Sequence, residues 1–293
     1  MKGDRLLKIN RKPDWLKMPT IGNRSAGEVR RILSTMNLNT VCNEARCPNR
    51  GHCYERGTAT FLILGSVCTR NCAYCAIEKN ATSLPPPDPD EPRRIAEASS
   101  SMNLKYVVLT SVTRDDLPDG GAGHFAETVT ELRNTISAVR VEVLTPDFNG
   151  DESALRTIAE CRPDVFNHNL ETVRRLFPAL RPIASYDQSL DVLKRFSKIA
   201  PDIPVKSGIM VGLGENADDI EETLIDLKNS GVSLLTIGQY LQPTSKHMPA
   251  VRYVEPVEFE NWEKTALEIG FAGVASGALV RSSFHADLLA ESK

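Results

Sequence analysis

Residues 61–75 read Phe61-Leu62-Ile63-Leu64-Gly65-Ser66-Val67-Cys68-Thr69-Arg70-Asn71-Cys72-Ala73-Tyr74-Cys75. A short apolar run, suited to a buried strand, leads four residues later into a cysteine triplet spaced C-x3-C-x2-C. A second triplet lies just upstream, where Cys42, Cys47 and Cys53 read C-x4-C-x5-C. Three is the informative number. A cubane iron–sulfur cluster has four irons and usually takes four thiolates. Each triplet therefore leaves one iron to be held by another residue or left open to a small molecule. Two such clusters suggest one that starts a reaction and one that takes part in it.

Other cysteine chemistries fit less well. The count is odd (seven), the chain is long for a disulfide scaffold, and the N-terminus lacks an apolar signal core. Structural zinc is the stronger rival. It wants four closed ligands, commonly from C-x2-C knuckles. Only Cys72 and Cys75 form such a pair; His52 could complete the first triplet, and no histidine lies near the second. Cys161 follows an apolar helical stretch and reads as a small buried hydrophobe.

Outward from the cysteines, the chain falls into a rhythm. Apolar runs recur at Tyr106–Thr110, Val141–Leu144, Val165–Phe166, Val205–Val211 and Leu234–Ile237, with helical patterns between them. Ser25 and Glu28 have capping-box spacing before an apolar face of Val29, Ile32, Leu33 and Met36. Ser185 and Gln188 cap another helix, and Gly231 is placed to stop a third. Six strands, each followed by helix, argue for parallel pairing with right-handed crossovers. The expected class is α/β: a partial TIM barrel of six β/α units, with N- and C-terminal extensions closing over one mouth. The parts fall at 1–57 (arm and first triplet), 58–271 (barrel) and 272–293 (C-terminal extension). Chemistry in such folds sits at the C-terminal ends of the strands, where the second triplet falls.

The chain has 293 residues, and its net charge of −3 argues against a general nucleic-acid binder. No apolar run approaches the ~20 residues of a membrane span. Thiol-rich sequence without an export signal points to the reducing cytoplasm. Charge is nonetheless uneven. Residues 1–31 hold nine Lys or Arg against three acids, a net +6. This arm is either a solvated tail or a docking surface for an acidic protein, with Arg11, Lys12 and Lys17 its candidate contacts.

C-x3-C-x2-C directly after the first strand of such a fold, with Tyr74 before its last cysteine, resembles the radical S-adenosylmethionine superfamily. The upstream triplet narrows the resemblance to the lipoyl synthase family. So do Lys12-Pro13-Asp14-Trp15-Leu16, Asn43-Glu44-Ala45-Arg46-Cys47-Pro48-Asn49, Thr110-Ser111-Val112-Thr113-Arg114-Asp115-Asp116-Leu117 and Asp119-Gly120-Gly121-Ala122. Phe166-Asn167-His168-Asn169-Leu170-Glu171-Thr172 and the closing Arg281-Ser282-Ser283-Phe284-His285-Ala286 agree as well, with Phe284 standing where the family usually has Tyr. The motifs run from about residue 8 to about residue 289.

The resemblance implies a sulfurtransferase with two [4Fe–4S] clusters and S-adenosylmethionine. Cys68, Cys72 and Cys75 would hold the cluster that cleaves S-adenosylmethionine to a 5′-deoxyadenosyl radical. Cys42, Cys47, Cys53 and Ser283 would hold an auxiliary cluster that is consumed as the sulfur source. Two sulfurs would replace hydrogens on carbons 6 and 8 of an octanoyl-lysine borne by a lipoyl carrier domain. The carrier would be a dehydrogenase-complex lipoyl domain or the glycine-cleavage H protein. A ferredoxin or flavodoxin-type electron donor and an iron–sulfur carrier protein are the other implied partners; nucleic acid and membrane are not. Candidate S-adenosylmethionine contacts are Tyr74, Thr110, Ser111, Asn169, Glu171 and Lys206, with the Gly212-Leu213-Gly214-Glu215 turn along the adenine. Arg114, Asp115 and Asp116 read as a structural ion-pair loop, and His168 and His285 as supporting groups. Methylthio transfer, biotin-synthase-like sulfur insertion and a metal-storing iron–sulfur or zinc carrier are the other classes. The first usually carries extra domains and the second lacks the upstream triplet, whereas a carrier would not cleave S-adenosylmethionine. Anaerobically reconstituted protein should contain about eight irons and about eight sulfides per chain. About four would leave one triplet unfilled, and zinc without sulfide would restore the knuckle reading.

Overall fold

The computed structural model describes residues 12–17, 24–44, 47, 49, 60–79, 84–283 and 285–291. The expectations placed on Arg11, His52, Cys53 and Phe284 lie outside them. In chain order the strands are β1 (Asn39–Thr40), β2 (Thr60–Ile63), β3 (Val67–Cys68), β4 (Glu78–Lys79), β5 (Tyr106–Ser111), β6 (Arg140–Leu144), β7 (Val165–Asn167), β8 (Val205–Val211), β9 (Leu234–Gln239) and β10 (Gly273–Gly277). Among the described residues, eight of them form one sheet in the order β1-β2-β5-β6-β7-β8-β9-β10, while β3 and β4 pair separately. β1 runs antiparallel to β2, and the other seven strands of the sheet are parallel.

Parallel strands require crossovers. Helices Glu91–Ser101, Ala122–Thr135, Glu152–Glu160, Tyr186–Ile199, Ala217–Asn229 and Pro256–Ile269 supply them in turn. The six expected β/α units are therefore present, and a seventh strand follows them. β10 escaped the sequence reading because Gly-Val-Ala-Ser-Gly is too small and polar to register as an apolar run. Ser185 caps its helix by accepting from the Gln188 N–H, and Asn216 with Asp219 forms a capping box that sequence reasoning did not single out. The first long helix starts at Arg24, so Ser25 lies inside its first turn rather than at the cap.

Period-two alternation decides which side chains build the core. On β5, Val107 and Leu109 are fully buried in the cluster shared with the helices, while Val108 and Thr110 face a cavity. Thr60 and Leu62 of β2, Leu144 of β6, Gly208 of β8, and Thr236 and Gly238 of β9 face the same cavity. A flat sheet could not bring strands so far apart in its order around one space. The sheet is curled into a partial barrel, and no pairing joins β1 to β10.

Chain direction changes sharply where β2 gives way to the cysteine loop. Leu64 takes φ +68° and Gly65 φ +95°. The left-handed conformation costs a non-glycine residue about 1–2 kcal/mol. Glu91 supports it: its carboxylate accepts from the Leu64 N–H at 2.9 Å and contacts His124 Nε2 at 2.7 Å.

The two extensions meet at the mouth. Asn49 Nδ2 donates to the Leu279 carbonyl at 2.6 Å, across 230 residues. The C-terminal segment then continues along the inside of the barrel. Leu289 and Ala290 pack on Val165 and Leu234, at the opposite ends of the strands. Its seat depends on a missing side chain, because a Cβ on Gly238 would stand 2.3 Å from the Val280 carbonyl oxygen. Gly238→Ala should lower the unfolding free energy by about 1–3 kcal/mol. Unchanged urea unfolding would show that the segment is not seated there.

Candidate functional site

The second cysteine triplet lies in the wall of a cavity of about 990 Å³ at the C-terminal ends of the strands. Cys68 Sγ accepts from the backbone N–H groups of Arg70 at 3.4 Å and Thr113 at 3.3 Å. Arg70 pins the loop. Its Nε and Nη2 reach Asp115 at 2.9 Å, its Nη1 and Nη2 reach Asp147 at 2.8 and 2.7 Å, and Nη2 also reaches Asn149 at 2.8 Å. Burial would raise the pKa of Asp147, but hydrogen bonding and attraction from Arg70 overcome it and hold the carboxyl at about 2. Elsewhere the Ala73 N–H donates to Leu180, the Met248 N–H to Ala73, and His247 Nε2 sits 3.0 Å from the Cys75 carbonyl. Lys79 Nζ donates to the Cys72 carbonyl at 2.6 Å. The loop is thus fixed to the segments that follow β5, β6, β7 and β9. The expected ion-pair loop is also present, with Arg114 holding Asp116 and Asp115 turned to Arg70.

Beside the triplet, Tyr74, Asn169, Glu171 and Arg181 line the same wall. Glu171 has φ +75°, which turns it inward after β7. Asn169 Nδ2 donates to its carboxylate at 3.2 Å, and Arg181 Nη1 donates to the Asn169 carbonyl at 3.2 Å. Burial raises the Glu171 pKa, opposed by Arg181. Burial likewise raises Cys72, again opposed by Arg181, and pushes Cys75 up to about 11, opposed by the Ile77 N–H. Thr110 Oγ1 donates to the Leu144 carbonyl at 2.8 Å. Ser111 Oγ and His168 Nε2 are buried without a protein partner among the described residues, and both residues border the cavity.

Two expectations are corrected. Lys206 does not reach the cavity wall: its Nζ is bound to both oxygens of buried Glu142, at 2.9 and 3.1 Å. The Gly212–Glu215 turn closes on itself, the Glu215 carboxylate accepting from the Gly212 and Leu213 N–H groups, and it does not line the cavity.

Two members of the first triplet border the same space. Cys42, Cys47 and Asn49 lie in its wall with Val280, Arg281, Ser282 and Ser283, and Lys12 stands there too. Burial lowers the Arg281 pKa, and a neighbouring Cys47 thiolate opposes that. No three Cys, His, Asp or Glu side chains among the described residues converge as they would on a single metal ion. The fit to iron–sulfur clusters rests instead on the donors. Soft thiols from both triplets line one cavity, and burial disfavours the charged form of Cys72 and Cys75, which a bound cation would favour. The orphaned Ser111 and His168 atoms suit a polar ligand such as S-adenosylmethionine.

Residues 62–227 match the Radical SAM superfamily. A lipoyl synthase of Caldanaerobacter subterraneus is 51% identical over 278 residues, covering 95% of this chain and 96% of its own. Those of Methylococcus capsulatus and Neisseria meningitidis serogroup C are 51% and 49% identical over 278 residues, each covering 94% of this chain and 86% and 85% of their own. The chain belongs to the lipoyl synthase family. Among solved structures, methylornithine synthase (PylB) aligns with TM-score 0.55 at 15% identity, over 84% of this chain and 73% of that one. HydG, a maturase of the [FeFe]-hydrogenase, aligns with TM-score 0.59 at 15% identity, over 73% of this chain and 50% of that one. At such identity these share the fold alone.

For this lipoyl synthase family member, sequence reasoning missed Arg70, Asp147, Arg181 and His247. Arg70 stood inside the motif, but nothing local marked its distant partners. His168 carries a pH signature. Burial, assisted by Arg181, pulls its pKa from 6.5 to about 4, and Nδ1 lies 2.9 Å from the Thr145 carbonyl. The unfolded chain takes up this proton first, so stability falls as pH drops below about 6.5 and levels off below about 4. Over that window the protein should lose up to about 3 kcal/mol in urea unfolding, and His168→Gln should flatten the slope. Equal slopes in the two proteins would assign the effect to another group.

Proposed function

We propose that the protein inserts two sulfur atoms, at carbons 6 and 8, into an octanoyl chain held in amide linkage on a lysine of a carrier protein. The observation that carries this reading is a single cavity bordered by thiols of both triplets and by Ser283, in a chain about half identical to lipoyl synthases along nearly its whole length. Cys68, Cys72 and Cys75 would hold one [4Fe–4S] cluster, and Cys42, Cys47, Cys53 and Ser283 the other. When bound, the first supplies the electron that cleaves S-adenosylmethionine and the second supplies sulfide.

The chain's own residues do the remaining work. Tyr74, Thr110, Ser111, Asn169 and Glu171 offer hydrogen bonds to S-adenosylmethionine, and Arg181 gives the pocket a buried positive charge. The apolar part of the wall, with Leu62, Val108, Leu144 and Ile209, offers a reactive carbon centre no hydrogen-bonding group. Ser283 contributes an oxygen donor, harder and more basic than thiolate and a poorer match to a sulfide-bridged iron. Bound there, it would be easier to protonate than a thiolate.

The basic arm places Lys12 beside the cavity, where an acidic carrier such as a dehydrogenase-complex lipoyl domain or the glycine-cleavage H protein would dock. A ferredoxin or flavodoxin-type donor and an iron–sulfur carrier protein complete the cycle. Of the three parts, the arm of 1–57 would serve docking, the barrel (58–271, its sheet continued by β10) radical chemistry, and the first triplet together with the C-terminal extension (272–293) sulfur delivery. Among the described residues no helix is long and apolar enough to cross a membrane, and the thiol content suits the cytoplasm. Ser283→Ala should cut lipoyl formation on an octanoyl-lysine peptide by about 100-fold while 5′-deoxyadenosine is still released. Full lipoyl yield with an intact auxiliary cluster would remove Ser283 from the mechanism.

A further inference from the structure

Ser282 and Ser283 are neighbours of the same chemistry, and both border the cavity. Ser282 is committed elsewhere. Its Oγ accepts from Asn167 Nδ2 at 2.9 Å and donates to Asn169 Oδ1 at 2.9 Å. A hydroxyl has one proton to give, so this one is spent within the protein.

The network continues inward. Asn167, fully buried, also donates from Nδ2 to Glu142 Oε1 at 2.8 Å. Glu142, fully buried as well, takes Lys206 Nζ on both oxygens at 2.9 and 3.1 Å, and the Tyr106 hydroxyl on Oε2 at 2.9 Å. These partners fix every direction. A carboxylate held by an ammonium only accepts, so the Asn167 amide faces it through nitrogen. Its second N–H then goes to Ser282 Oγ, and the Ser282 proton goes to Asn169 Oδ1. Asn169 is left to donate from Nδ2 to Glu171.

From this arrangement we infer that Ser282 is a positioning residue: tied through Asn167 to the buried Glu142–Lys206 pair, it sets the turn from which Ser283 presents its hydroxyl to the auxiliary cluster. The inference rests on the reading of Ser283 as that cluster's ligand. It also gives the ion pair a purpose. A buried pair adds little stability over an apolar replacement, and its best-attested use is to fix one geometry among several. Here it fixes which of two identical hydroxyls is free to bind iron.

The test uses the full chain, reconstituted anaerobically with both clusters. Wild type, Ser282→Ala, Ser282→Thr and Ser283→Ala are compared by Mössbauer spectroscopy and by the rate of iron loss to a ferrous chelator. Ser283→Ala should abolish the signal of the oxygen-ligated iron. Ser282→Ala should weaken and broaden that signal and speed iron loss about tenfold, and Ser282→Thr, which keeps the hydroxyl, should restore both. A wild-type spectrum and rate in Ser282→Ala, alongside an altered Ser283→Ala, would overturn the positioning role alone. An unaltered Ser283→Ala spectrum would overturn the ligand reading itself. Asn167→Leu cuts the same tether from below without touching the serine turn. It should reproduce the Ser282→Ala spectrum, and wild-type behaviour in protein with native near-ultraviolet circular dichroism would equally refute the tether.

Discussion

Arg70 lies between two carboxylates that the chain delivers from different loops. Asp115 follows β5 and Asp147 follows β6, and the guanidinium binds both while its own side chain is 3% exposed. Because Arg70 sits between Cys68 and Cys72, this one contact sets where the second triplet stands relative to the barrel. Removing it would leave Asp147 ionised and buried, a loss of about 3–5 kcal/mol when one member of a buried pair is deleted. The loop carries little regular structure of its own, only the two-residue pair of β3 with β4. Three thiols stand on this irregular segment, and the salt bridges fix it where secondary structure does not.

An open barrel raises a second problem, which the C-terminal segment solves. The concave face of the sheet carries Thr110, Glu142, Asn167, Lys206 and Thr236, all of them buried. Polar groups in such a place need partners. Some find them in one another, as Lys206 does in Glu142, and some in the returning chain, as Asn167 does in Ser282. Glycine makes room: Gly208 faces Thr236 and Asn169, and Gly238 faces Val280, each too closely for a Cβ. The segment therefore fills the barrel with both volume and hydrogen bonds.

Electrostatics in the cavity follow one theme. Burial raises the pKa of Cys72, Cys75 and Glu171 and so disfavours negative charge. Arg181 opposes that at Cys72 and Glu171, and Arg281 stands beside Cys47. In a low-dielectric pocket these fixed cations act strongly on anionic ligands. The site is thus prepared for groups that bring charge of their own, which is the character of an iron–sulfur cluster and of S-adenosylmethionine.

The sequence by itself determined the thiol spacings, the alternation of apolar runs with helical faces, the Ser185 cap and the family signatures. All of these are local: they depend on residues within a turn or two of one another, and on periodicities that a reader can count. β10 was too short of apolar residues to count, and Ser25 had the cap spacing but lay inside the helix. Only the tertiary structure decided that Lys206 faces Glu142 instead of the cavity, that Arg70 clamps two loops, and that Ser282 rather than Ser283 is bound within the barrel. Those outcomes join residues 45 to 115 positions apart. Such pairs are set by which strands lie side by side and which way each side chain points, and no pattern along the chain encodes that order.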